Sequence, residues 1–151
     1  MKILLAVDGS TCSDRAVEEI ARRPWPKGSE IKVISAVALP VMPAMEPYGL
    51  SPDYFAELKD GERKRAQLAV DGALHRLRTV EDKTLEVTGE IIQDAPKRAI
   101  LEKADDWGAD LIVVGSHGYG PLDRFLLGSV SSAVATHANC SVEIVRCRPD
   151  K

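Results

Sequence analysis

"VVGSHGYGPLDRFLLGSVSSAV", residues 113–134, is the stretch on which the fold turns. Two β-branched apolar residues enter a glycine-rich loop, the loop ends in a second Gly-Ser pair, and a helix-like run follows. Strand, glycine loop and helix in that order is a common way to hold phosphate, because glycine lets a ligand approach the backbone and a helix start offers unpaired N–H groups. The familiar versions fail here. A Walker loop requires Lys and Ser/Thr where Pro121 and Leu122 stand. The dinucleotide fingerprint requires a third glycine where Asp123 stands, and Ser116 lacks the flanking glycines of a nucleophile elbow.

What remains is G-x-x-G, nine residues, then G-S: Gly115, Gly118, Gly128 and Ser129. Gly115 and Gly118 lack Cβ, which permits close backbone approach and positive φ, and successive N–H groups in such a turn form an anion nest. Gly128, Ser129, Val130 and Ser131 read as the first turn of a helix, whose dipole favours phosphate, with Ser129 and Ser131 adding hydroxyl donors.

Working outward, "DLIVV" (Asp110–Val114) is the strand entering this loop, Gly128–His137 the helix leaving it, and "SVEIVRC" (Ser141–Cys147) a last strand. Upstream, Lys2–Val7 is a nearly continuous apolar run, as expected of a strand buried on both faces. Ser10 or Thr11 then caps a helix that stops before Pro24, followed by a second strand, Ile31–Ala38. Leu39–Pro52 holds four of the nine prolines and is predicted to be irregular. A long helix follows from Pro52 to Arg78, with Gly61 and Gly72 as weak points, and then a third strand, Thr84–Ile92. Asp94 is predicted to cap a helix with Pro96 in its first turn and Gly108 as its stop. Strands alternating with helices imply right-handed crossovers, a mostly parallel sheet covered on both faces, and a ligand crevice beyond the carboxyl ends of the strands. At 151 residues the chain reads as one α/β domain.

Composition excludes several classes of function. Apolar residues make up 44% of the chain and charged residues 28%, with a net charge of −3 and no basic tract, which argues against a nucleic-acid binder. "MKILLAV" is cut short by Asp8 before it reaches the length of a signal-peptide core, and no apolar run is long enough to span a membrane, so a cytoplasmic protein is expected. Cys12, Cys140 and Cys147 form no CxxC pair and have no zinc-ligand spacing, and their odd number suits a reducing compartment. Cys12, in the first turn of the first helix, reads either as a reactive thiol or as a small space-filling residue.

Asp8 closes the first strand at the same sheet edge as Gly115. By itself it reads equally as an N-cap for the first helix or as a ligand for a ribose hydroxyl. His117, a lone imidazole without an evident carboxylate partner, reads as a residue that orders the turn or touches phosphate rather than as a general base. Arg124, in the nine-residue spacer beside Asp123, reads as a γ-phosphate contact or a solvated surface arginine. His75 and His137 are assigned structural roles.

With "ILLAVDGS" at the start, "GSHGYGPLDRFLLGSVSSAV" and "CSVEIV" at the end, the chain resembles a single-domain universal stress protein over nearly its whole length. The pattern G-x-x-G-x9-G-[ST] marks the ATP-binding branch of that family. The resemblance implies a Rossmann-like five-stranded parallel sheet of order 3-2-1-4-5 with helices on both faces, akin to the adenine nucleotide alpha hydrolases. It also implies ATP, or ADP or AMP, in the crevice between strands one and four, with Mg²⁺ accompanying the phosphates. Carried over to this sequence, Asp8 lies at the base and ribose end, and Ala6 lines the adenine pocket where many relatives have proline. Val37 meets adenine through its backbone, and Val114 precedes the first motif glycine. Gly115, Gly118, Gly128, Ser129, Val130 and Ser131 match positions that hold ribose and phosphates.

The resemblance further implies a homodimer through the strand Ser141–Cys147; the alternative is a monomer whose edge is guarded by Glu143, Arg146 and Arg148. Three functions follow for comparison. The favoured one is a stress-response regulatory module controlled by bound nucleotide. The others are a slow ATPase or phosphotransfer enzyme, for which the loop offers little catalytic machinery, and an interaction-only dimer, against which the intact glycine motif argues.

Overall fold

The computed structural model of the protein describes residues 1–38, 52–79, 85–118 and 127–147. Strands and helices alternate in the order β1 (Lys2–Ala6), α1 (Thr11–Arg22), β2 (Glu30–Ala36), α2 (Pro52–Arg78), β3 (Glu86–Ile92), α3 (Pro96–Trp107), β4 (Leu111–Gly115), α4 (Ser129–His137) and β5 (Ser141–Val145). The sheet has the order β3-β2-β1-β4-β5, and every neighbouring pair is parallel. This is the α/β architecture that the alternation of elements predicts, in the strand order that the family resemblance implies.

The apolar strand runs sort their side chains between two cores. Ile3 and Leu5 of β1, Ile31 and Val33 of β2, and Val113 of β4 pack against Val17 and Ile20 of α1 and against Val70, Ala73 and Leu77 of α2. On the other face, Leu4, Ile34, Ile112 and Val114 meet Ile100 and Ala104 of α3 and Val134 of α4. Ile3, Leu4 and Leu5 are completely buried, as expected for a central strand covered on both sides. Helices α1 and α2 therefore share one face and α3 and α4 the other, so the winding reverses between β1 and β4. A ligand crevice is expected at that reversal.

Local chemistry sets the helix ends. Ser10 is the N-cap of α1, accepting a hydrogen bond from the Ser13 N–H, and α1 ends at Arg22 because Arg23, before Pro24, is extended. Helix α2 runs unbroken through Gly61 and Gly72. Each glycine costs about 1 kcal/mol relative to alanine. Burial of Val70 and Leu77, worth roughly 1.5–3 kcal/mol for each side chain, outweighs that cost. Gly108 stops α3 in the left-handed conformation, as predicted.

The start of α3 corrects the sequence reading. Its N-cap is Ala95, without a side-chain cap bond, and Pro96 is the first helical residue. Asp94 instead accepts the Ala95 N–H at 2.6 Å and pairs with Arg98, whose guanidinium holds the carboxyl below its usual range. An arginine four residues on competes for the carboxylate that would otherwise cap the helix.

At the β5 edge, Glu143 is bound by the Arg23 guanidinium at 2.6 Å through both oxygens, and Glu19 joins the same arginine. Glu143 is thus engaged with the end of α1. Cys12 and Cys147 are paired as a disulfide with Cα atoms 5.0 Å apart, leaving Cys140 as the free thiol. Cys12 is buried as a space-filling residue would be, and it has in Cys147 a partner that the sequence did not indicate. The start of α1 and the end of β5 meet at the carboxyl edge, although 135 residues separate them in sequence. The segment Leu39–Pro52, predicted to be irregular, falls outside the described residues up to position 51, as does Arg148.

Candidate functional site

The carboxyl ends of β1 and β4 open onto a cavity of about 330 Å³. One wall is apolar and is built by Ala6 at the end of β1 and Val7 just after it, Ile34 and Ala36 of β2, Val114 of β4, and Pro96 and Ile100 of α3. The other is polar and is built by Asp8, Ser13, Gly115, His117, Gly118 and the first turn of α4, Gly128 to Ser131. Concave sites with an apolar wall and a few convergent polar groups are the usual form of small-molecule pockets.

The glycines of the loop serve close approach. Gly115 and Gly118 do not adopt the positive φ that the sequence allowed; among the described residues Gly9, Gly28 and Gly108 do. A Cβ at Gly115 would lie 2.7 Å from the carbonyl carbon of Cys12, so this position holds the end of β4 against the start of α1. A Cβ at Gly118 would lie 2.6 Å from Asp8 Oδ2. Gly118 therefore lets the carboxylate of Asp8 come up to the turn.

Asp8 is not the N-cap of α1. Its Oδ1 accepts the Ser10 N–H at 2.9 Å, an Asx-type turn, while Ser10 does the capping. Oδ2 faces the Gly118 side of the cavity, and the residue is exposed. The arrangement leaves an acceptor available to a ligand hydroxyl.

Ser116, without an assigned role once the nucleophile elbow fails, is the hub of the loop. Its N–H donates to Val145 O at 2.8 Å, and its carbonyl accepts both the Gly128 N–H at 2.8 Å and the Ser131 hydroxyl at 2.9 Å. These bonds bring the two halves of the G-x-x-G-x9-G-S pattern together across the spacer. Ser131 is 2% exposed, and its hydroxyl proton is shared between Ser116 O and Gly128 O, so it braces the loop. This revises its expected part as a free donor. Ser129, by contrast, is exposed at the cavity wall. Helix α4 has Gly128 as N-cap and no side-chain cap, which leaves its first N–H groups available to an anion.

His117 lines the cavity, with Nδ1 3.1 Å from Ser116 Oγ; no carboxylate among the described residues holds its ring. Val130 also lines the cavity. Val37 lies just past β2, its N–H bonded to Ile92 O at 2.8 Å, and the wall at that point is Ala36 and Ile34. Arg124 and Asp123 lie outside the described residues. Sequence reading missed Pro96 and Ile100, whose place at the wall follows from α3 crossing the sheet beside β2. A Pro-led helix start after the third strand was the available signal.

Among the described residues no helix is long and apolar enough to cross a membrane, and no three metal-ligating side chains cluster. The model of the universal stress protein family matches residues 1–146. A universal stress protein of Thermus aquaticus is 32% identical, over 95% of this chain and 97% of its own length. Among solved structures, hypothetical protein MJ0577 superposes with a TM-score of 0.82 at 25% identity, covering 99% of this chain and 97% of its own. A universal stress protein in complex with cAMP superposes with a TM-score of 0.64 at 27% identity, covering 96% of both chains.

Proposed function

Because this chain belongs to the universal stress protein family, we propose that it is a stress-response regulatory module that binds ATP in the crevice between β1 and β4. The observation that carries the reading is the joining of two unlike walls in one cavity, an apolar slot and a glycine turn beside an uncapped helix start. The apolar wall of Ala6, Ile34, Ala36, Val114, Pro96 and Ile100 suits a planar base. Asp8 takes the ribose hydroxyls through Oδ2. The Gly118 N–H and those of Ser129, Val130 and Ser131 receive the phosphates beside the Gly115 end of β4, with the Ser129 hydroxyl next to them. The complex of a 27% identical family member with cAMP supports an adenine nucleotide as the ligand class.

Mg²⁺ would come with the phosphates, and Asp8 is the carboxylate at the cavity that can face it, directly or through water. Val37, through its backbone, and Arg124 keep their expected places in the reading, as the adenine and γ-phosphate contacts. Binding of nucleotide joins elements from both faces of the sheet and so favours the ordered domain, which acts as a homodimer through β5. The test is mass spectrometry of gently purified protein, followed by calorimetry with Mg-ATP, ADP and AMP. Co-purified adenine nucleotide and a one-to-one ATP isotherm are expected. An empty protein that gives no heat with any of the three refutes the reading, and sustained ADP release would replace the module by an ATPase.

A further inference from the structure

The disulfide lies directly beneath the phosphate-side turn. Cys12 is the second residue of α1 and is 3% exposed, whereas Cys147, past the end of β5, is half-buried. Their Cα separation of 5.0 Å falls within the span a disulfide bridges. The backbone of Cys12 touches Gly115, and the Ser116 hydroxyl donates to Cys12 Sγ at 3.8 Å while facing His117 Nδ1 at 3.1 Å. From the other side, the Ser116 N–H is held by Val145 O, two residues before Cys147. Both cysteines thus adjoin the one residue that closes the loop. The third thiol stands apart: Cys140 directly precedes β5, at the opposite end of that strand, and burial there pushes its pKa up, favouring the less reactive protonated form.

We propose that Cys12 and Cys147 are a reversible redox modification site, oxidised by peroxides and reduced by dithiols, whose state is transmitted to the nucleotide turn. Cys147, the more accessible, reacts first. Its thiol loses a proton to solvent and the thiolate attacks a peroxide oxygen; an S–O bond forms, the O–O bond breaks, and the leaving hydroxide is protonated to water. The Cys12 sulfur then attacks that of Cys147; the S–S bond forms, the S–O bond breaks, and the hydroxyl leaves as water with the proton of Cys12. Two electrons pass from the two sulfurs to one peroxide, and a dithiol returns them by exchange. The closed bridge fixes the start of α1 and the end of β5 around Ser116. The turn is thereby ordered before nucleotide arrives, which lowers the cost of binding.

The test uses the full chain, reduced with dithiothreitol and then treated with hydrogen peroxide. Alkylation, intact mass and a non-reducing peptide map should show the loss of two hydrogen atoms from a single chain, a linked Cys12–Cys147 peptide and an alkylatable Cys140. The Cys140→Ser variant should behave identically, and Cys147→Ser should form no intrachain bridge. A bridge through Cys140, bridges only between chains, or Cys12 still alkylated after peroxide overturns the site.

The effect on ligand rests on the nucleotide reading above and is measured separately. Oxidised protein should bind Mg-ATP roughly three- to tenfold more tightly than reduced protein and unfold several degrees higher. Equal affinity in both states overturns the transmission to the turn. Absence of ATP binding in both states overturns the nucleotide reading, while the peptide map still decides the redox site.

Discussion

Two helices begin at the same edge of the sheet with nearly the same residues, and they begin differently. Before α1 the sequence runs Gly9-Ser10-Thr11; before α4 it runs Gly128-Ser129-Val130. At α1 the serine is the N-cap, and its hydroxyl accepts the Ser13 N–H and donates to His117 O. At α4 the glycine is the N-cap and the serine has moved one position into the helix, where it caps nothing. One start is closed by its own side chains. The other is left open toward the cavity, and the displacement of a single residue makes the difference. A Gly-Ser pair before a helix is therefore not in itself a phosphate site; which of the two residues takes the cap position decides.

The contrast can be broken most severely at Gly115, where α1 and β4 touch. Gly115→Val drives a side chain into the Cys12 backbone, 2.7 Å from where Cβ must sit. A loss of about 3 kcal/mol is expected in urea unfolding, and an unaltered midpoint would show that the two elements do not meet as described. Gly118→Val strikes Asp8 Oδ2 instead, a movable side chain. Here calorimetry should show ATP affinity reduced about tenfold or more, roughly 1.4 kcal/mol, with the unfolding midpoint almost preserved; retained affinity would place the ligand elsewhere. Gly128→Ser gives α4 the kind of cap that α1 has, with its Cβ pressed to 3.1 Å from Ser116 O. ATP binding should weaken by roughly threefold to fivefold as the new hydroxyl competes for the helix N–H groups; tighter binding would mean that those groups do not hold the phosphates. Ser10→Ala opens the closed start. It should cost about 1 kcal/mol of stability and change ATP affinity less than twofold, and a large loss of affinity would make the two helix starts equivalent.

Much of this was readable because the central strands are short and apolar. The runs ILLAV and DLIVV carry the sheet, and Gly108 and Pro24 end helices by backbone geometry alone. The glycine spacing similarly marked the loop. Partners chosen by side chains were less legible. Asp94 has the composition of a cap, and only the arginine four residues on withdraws it. The use of Ser131 as a brace and of Ser116 as a hub depends on carbonyls brought near by tertiary contact, which no local pattern records. The pairing of Cys12 with Cys147 is of the same kind. Strand order, through the family resemblance, set both residues at one edge; their distance required the fold.

Helix α2 carries a further consequence. Its 27 residues extend about 40 Å, whereas the seven residues of β2 or β3 reach only about 23 Å. Packing starts at Ala66 and continues through Val70, Ala73 and Leu77, while most of the residues from Asp53 to Arg65 are exposed. One continuous helix is therefore two thermodynamic bodies, a docked half that shares the stability of the sheet and a mostly exposed half held by its backbone ladder and by local side-chain contacts such as Glu62–Arg65. Amide hydrogens should divide accordingly, with slow exchange after Ala66 and fast exchange before it, so that the end of the core is written as a step in time along a single helix.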